Sequence, residues 1–199
     1  MTRRRLLAAF VAVAAAASAS AAQLFTKADA DNLEKKLTAV LARGAVATSR
    51  PAPVRTSFTE REVNAYLKFN GKDQLPTGVV DPHVSLAGDF RVSGSAIVDL
   101  DAVRTSKERS WLDPAAYVSG SVEVHAAGVL RTANGRGTFR LESASVGSLP
   151  IPKGLFQELV TYYSRSADLP NGFDLDKPFD LPANIREVEI LRGGATIVQ

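Results

Sequence analysis

Between Val79 and Gly147 apolar or small residues recur at every second position, and this pattern puts a sheet at the centre of the fold. Phe90, Val92, Gly94, Ala96, Val98, Leu100 and Ala102 alternate with Arg91, Ser93, Ser95, Ile97, Asp99 and Asp101. One face of such a strand is apolar or small throughout. Val118, Gly120, Val122, Val124, Ala126, Gly128 and Leu130 repeat the pattern, and after the hairpin signal Asn134-Gly135 it returns through Gly137, Phe139 and Leu141. Runs of this length exceed the usual strand of about five or six residues. The glycines at 94, 120, 128 and 137 fall on the apolar face, where a missing side chain lets a long sheet bend or another backbone approach. The expectation is a highly curved antiparallel meander. Its interruption from Thr105 to Ala116, with Trp111 and Asp113-Pro114, predicts a loop or short helical crossing.

Helical spacing flanks this region. Phe25, Leu33, Leu37, Val40 and Leu41 predict an amphipathic helix over 24–43 that ends near Gly44. A proline-punctuated link, Ser49 to Val54, leads into a short edge strand to Phe58. Thr59-Glu60-Arg61-Glu62 has the form of a capping box, with Phe58 and Val63 placed as a hydrophobic staple, and the helix stops at Asn70-Gly71. A third helix starts at Pro152 and places Leu155, Phe156, Leu159, Val160 and Tyr163 on one side. After the turn Leu169-Pro170-Asn171-Gly172, two short strands, Ile185 to Leu191 and Ala195 to Val198, meet at Gly193-Gly194. The class is α+β in a single domain over 23–199: a curved antiparallel meander wrapped around amphipathic helices.

Residues 1–22 predict a cleaved signal peptide: Arg3 to Arg5 form a basic n-region, Leu6 to Ala17 an apolar stretch, and Ser18 to Ala22 the small residues a signal peptidase accepts. The apolar stretch is shorter than the roughly 20 residues a membrane span needs, so no transmembrane segment is expected after cleavage. The expected location is the periplasm or beyond it. Three of the 24 Lys+Arg lie in this segment and none of the 21 Asp+Glu does, so the remainder is charge-balanced. That balance gives no general reason to bind nucleic acid, whose affinity rests on many phosphate contacts. With no cysteine there are no disulfides and no thiolate metal sites.

A hydrolase needs a nucleophile, a base and an orienting group, yet the chain has two histidines, His83 and His125, and no Gly-x-Ser-x-Gly elbow. Zinc or iron would need clustered ligands that two isolated histidines do not supply. Asp99 and Asp101 share a predicted strand face in a spacing that an acid/base pair could use, but such acids are more often a wet outer face. No Gly-Lys-Ser/Thr follows any glycine run. No enzyme, cofactor or metal site is expected.

The remaining clue is architectural. A curved sheet with an apolar inner face either leaves a groove for an apolar ligand or is filled by the last helix through Leu155, Phe156, Leu159 and Tyr163. For a ligand, Phe90, Val92, Val98, Leu100, Val122, Val124, Phe139, Leu141, Phe156 and Leu159 would line the chamber.

Thr59-Glu60-Arg61-Glu62-Val63-Asn64-Ala65-Tyr66-Leu67 resembles the opening helix of bacterial tubular lipid-binding (TULIP-like) envelope proteins. Leu181-Pro182-Ala183-Asn184-Ile185, with Val188, Ile190 and Gly193, is similar to the closing hairpin of that group. The resemblance covers the two ends of the exported part. It implies a curved sheet around a long helix with an elongated cavity for acyl chains, and hence a lipid or other apolar ligand as partner. The competing expectation is an envelope scaffold that holds a protein partner on a strand edge or on the first helix.

Overall fold

The computed structural model describes residues 25–46, 52–105, 120–165 and 169–199. The predicted signal peptide, residues 47–51 of the link after Gly44, and the stretch 106–119 with Trp111 and the predicted strand residue Val118 lie outside the described residues.

Helix α1 spans Lys27–Gly44 and opens on a capping box in which Thr26 and Asp29 exchange side-chain and backbone bonds. Strand β1 (Arg55–Thr59) runs straight into α2 (Glu60–Phe69), whose capping box joins Thr59 to Glu62 as the sequence predicts. Both residues of the expected staple, Phe58 and Val63, are buried. The meander follows: β2 (Val79–Gly88), β3 (Arg91–Asp99), a short helix α3 (Leu100–Thr105), β4 (Ser121–Ala133), β5 (Arg136–Val146) and the two-residue β6 (Leu149–Pro150). Helix α4 (Lys153–Tyr163), strand β7 (Phe179–Asp180) and the terminal hairpin β8 (Glu187–Leu191) and β9 (Gly194–Val198) complete the described chain.

These strands form a six-stranded antiparallel sheet in the order β2-β3-β4-β5-β6, with β7 also on β5, and a three-stranded sheet in the order β1-β9-β8. The larger sheet is open and the class is α+β, as expected. β4 reaches the predicted length at 13 residues, and β5, at 11, is also well above the usual strand. The run from Phe90 to Ala102 falls short of the predicted length: it is a turn residue, a nine-residue strand and the start of α3. Asp99 causes the break, because its carboxylate accepts the backbone N–H groups of Asp101 and Ala102 at 3.0 Å and so caps α3. Asp101 in turn accepts the Gly120 N–H at 2.9 Å. The two acids therefore lie on different elements, each bonded to backbone, and not side by side on one strand face.

Two hairpin turns share one geometry and differ in chemistry. Between β4 and β5, Asn134 and Gly135 take positive φ (51° and 79°), the requirement of a two-residue type I′ turn. Between β2 and β3 the same positions hold Asp89 and Phe90, at 51° and 64°. A bulky side chain in this region costs about 1 kcal/mol or more relative to glycine.

The open edge of β2 is closed by α2. Asn64, 1% exposed, donates to the carbonyl of Val84 at 2.8 Å and accepts its N–H at 2.7 Å. One helical turn earlier, the Glu60 carboxylate accepts the Leu86 N–H at 2.6 Å. Residues i and i+4 of a helix thus supply the bonds that a further strand would have made. Outside them, α1 packs on α2, and Lys36 pairs with the mostly buried Glu62 at 2.8 Å.

Candidate functional site

Register places the inner face of the large sheet in rows. The row Leu86–Val92–Gly128–Leu141 crosses four strands, and Val84–Gly94–Ala126–Ala144 lies beside it. Further along come Ala96–Val124–Val146–Leu149, which crosses β3 to β6, and then Val79–Val98–Val122. All four rows are apolar or small, as the period of two demands.

Their burial differs sharply. In the first two rows every residue but the half-buried Leu141 is buried; Leu86 is 2% and Ala126 1% exposed. In the last two rows no residue is buried, and Leu149 is 70% exposed. The near end is filled from several sides. The β8–β9 hairpin is tied to β2 by the Gly193 N–H to Leu86 carbonyl bond (2.7 Å) and by the Ala87–Arg192 bridge. Thr132 holds β8 against β4 by donating to the Val188 carbonyl and accepting the Val188 N–H. Val188, Ile190, Ile197, Tyr66 and Leu67 join Leu86, Val92 and Leu130 in one core cluster.

Two of the inward glycines are not empty space. A Cβ on Gly128 would lie 2.3 Å from the Phe139 ring, and one on Gly137 would lie 2.5 Å from the Phe179 ring. Each gap in the side-chain layer is taken by an aromatic ring. Gly120 stands outside the strand, at φ 88°, just before β4. The expectation that small inward residues leave a groove is thus corrected for Gly128 and Gly137, at the near end.

The predicted lining residues divide along this gradient. Val92, Phe139 and Phe156 are core, with Val124 and Leu141 packed against it. Val98 and Val122 lie in the outermost row, and Leu100 opens α3 beside it; all three are half-buried, as is Leu159. Phe90 lines nothing inside: it is 40% exposed at the β2–β3 turn, with the Arg131 guanidinium 5.1 Å from its ring centre. From the last helix only Phe156 is buried, while Leu155 is 45% exposed. Of the four side chains that the alternative expectation assigned to filling the inner face, Phe156 is in the core, Leu159 and Tyr163 are half-buried and Leu155 is exposed.

Val79, Val146 and Leu149 belong to the outer rows and were not evident as lining residues. Val79 precedes an irregularity at Asp81-Pro82 that breaks the period, and Leu149 sits in a Gly-Ser-Leu-Pro stretch that reads as a turn.

The polar groups lie on the opposite face. His83, Ser95, His125 and Ser145 form one row across four strands, with the two histidines on strands separated by β3. His125 faces Glu123 at 3.2 Å, and Phe25 stacks on His83. Among the described residues no three His, Asp or Glu side chains are grouped to hold a metal ion. None of the described helices is long and apolar enough to cross a membrane. No protein-family model matches the chain, and no curated protein is significantly similar to it.

Proposed function

We propose that this is a periplasmic lipid- or apolar-ligand-binding protein that takes up acyl chains on the outer rows of its inner sheet face and does no covalent chemistry. One observation carries the reading: a single continuous apolar face is sealed at one end and left half-exposed at the other, from Ala96 and Val98 to Leu149. Water against those side chains is unfavourable by about 25 cal/mol per Å² of apolar area. An acyl chain laid along them removes that area from solvent and gains about 0.8 kcal/mol per buried methylene. The resemblance of the Thr59–Leu67 and Leu181–Ile185 segments to tubular lipid-binding proteins points the same way, and the export signal read in residues 1–22 supports the periplasmic compartment.

Native mass spectrometry of the protein from its own envelope fraction, before and after organic extraction, tests this. A discrete mass loss matching a lipid is expected, and Val122→Glu, which sets a carboxylate among the outer rows, should abolish it. An unchanged mass together with a stoichiometric protein subunit would replace this reading with that of a non-enzymatic envelope scaffold holding its partner on a strand edge or on the first helix.

A further inference from the structure

Phe90 belongs neither to the core nor to the proposed ligand face. It occupies a glycine position of a type I′ turn, at φ 64°, and remains 40% exposed. The equivalent position in the neighbouring hairpin is Gly135, which meets the same requirement without strain. A strained, exposed aromatic side chain is a candidate for a binding role.

Its surroundings are basic. The Arg131 guanidinium lies over the ring, and Arg91 and Arg140 flank Val129 in register on the outer face of β3, β4 and β5. On the other side of the turn the Ala87–Arg192 bridge brings up Arg192, next to Leu191, a second apolar side chain that is 53% exposed. The acids here are Asp89 in the turn, Glu142, Asp180 and, beside the Ala87–Arg192 bridge, Glu60, whose carboxylate is engaged by the Leu86 N–H at 2.6 Å. Glu142 is shared between Arg140 at 3.5 Å and Arg91 at 3.9 Å, and both arginines are mostly exposed. Asp180 pairs with Arg136, both well exposed. Such exposed pairs are weak and exchange readily for another anion.

We propose that this end of the molecule, with Phe90 and Leu191 at its tips and Arg91, Arg131, Arg140 and Arg192 around them, docks on the surface of an anionic phospholipid bilayer. Guanidinium groups bind phosphate oxygens in a forked geometry, while the two apolar tips enter the boundary between headgroups and acyl chains. Duplex DNA would use the arginines, whereas the exposed Phe90 and Leu191 suit the apolar boundary of a bilayer. The inference does not rest on the apolar-ligand reading, since docking requires no cargo at the outer rows.

The test is co-sedimentation of the full chain with phosphatidylcholine vesicles, with and without phosphatidylglycerol. Binding is expected only with phosphatidylglycerol and should weaken as salt rises. Arg131→Gln and Arg140→Gln should each weaken it about fivefold. Phe90→Gly should weaken it about tenfold and at the same time raise the melting temperature, because it removes an apolar anchor and relieves the turn. A merely structural role for Phe90 moves the melting temperature and leaves binding alone. Equal binding to neutral vesicles, no binding to anionic ones, or unchanged binding by the Phe90 and arginine variants overturns the proposal. Binding to duplex DNA as tight as to vesicles, indifferent to Phe90→Gly, would assign the patch to polyanions generally and overturn it as well.

Discussion

The two ends of the inner sheet face have the same sequence pattern and opposite surroundings. At the near end Leu86, Val92 and Ala126 are sealed under α2, the β8–β9 hairpin and two aromatic rings. At the far end Ala96, Val98, Val122 and Val124 continue the alternation with no change of residue type, yet none is buried. Alternation reports which face is apolar; it does not report what covers it. What covers the near end is recognisable only through side chains that act at a distance in sequence. Asn64 reaches across 20 residues to the edge of β2, and Thr132 reaches across 56 to β8.

Substitutions at the two ends should have different consequences. The largest effect is expected at Asn64→Asp. The variant retains an acceptor for the Val84 N–H, but it sets a carboxylate against the carbonyls of Glu60 and Val84, to which the amide now donates. A loss above about 3 kcal/mol in urea denaturation is expected, since a buried charge gains only one partner there. A loss below about 1 kcal/mol would show that the β2 edge is not closed by this side chain.

A matched pair comes next. Leu86→Ala should cost about 3 kcal/mol and Val122→Ala less than about 1 kcal/mol, because only the first leaves a cavity in a filled layer. Equal costs would remove the distinction between the ends. Gly128→Ala should cost about 2 kcal/mol, as its methyl meets both the Phe139 ring and, at 2.5 Å, the Arg140 carbonyl oxygen.

The smallest effect is electrostatic and lies outside both ends, on α1. The Thr26 hydroxyl and backbone N–H, followed by Arg61, hold Asp29 below its ordinary carboxyl pKa; Lys27 and then Asn70 do the same for Asp31. A depressed pKa in the folded state means stability that is present above the ordinary carboxyl range and lost as pH falls through the depressed values. Asp29→Asn should therefore flatten the acid limb of a pH–stability profile; an unchanged limb would exclude a contribution from this cap.

Much of the fold was legible. The capping box at Thr59–Glu62, the Asn134-Gly135 turn, the proline start of α4 and the Gly193-Gly194 hairpin are local signals, and each marks the element it predicts. The β3 end was not legible, because Leu100 and Ala102 keep the strand period while the Asp99 carboxylate, three bonds from the backbone, captures the next N–H groups for a helix. Phe90 was misplaced for a related reason: it has strand parity, but a positive φ takes it out of the strand. The glycines were the subtler case. A small residue in a strand signals a close approach, and here the approaching groups are rings from residues 11 and 42 positions away, which no local pattern reveals.

On the proposed reading, the apolar face accepts an acyl chain at its far end and not at its near end. A fatty acid with a photoreactive diazirine in its chain, irradiated with the protein and mapped by peptide mass spectrometry, measures this directly. Adducts concentrated in 96–98, 122–124 and 146–149 are predicted. Adducts concentrated in 84–92 and 126–139, or none above the level of a denatured control, would contradict the account.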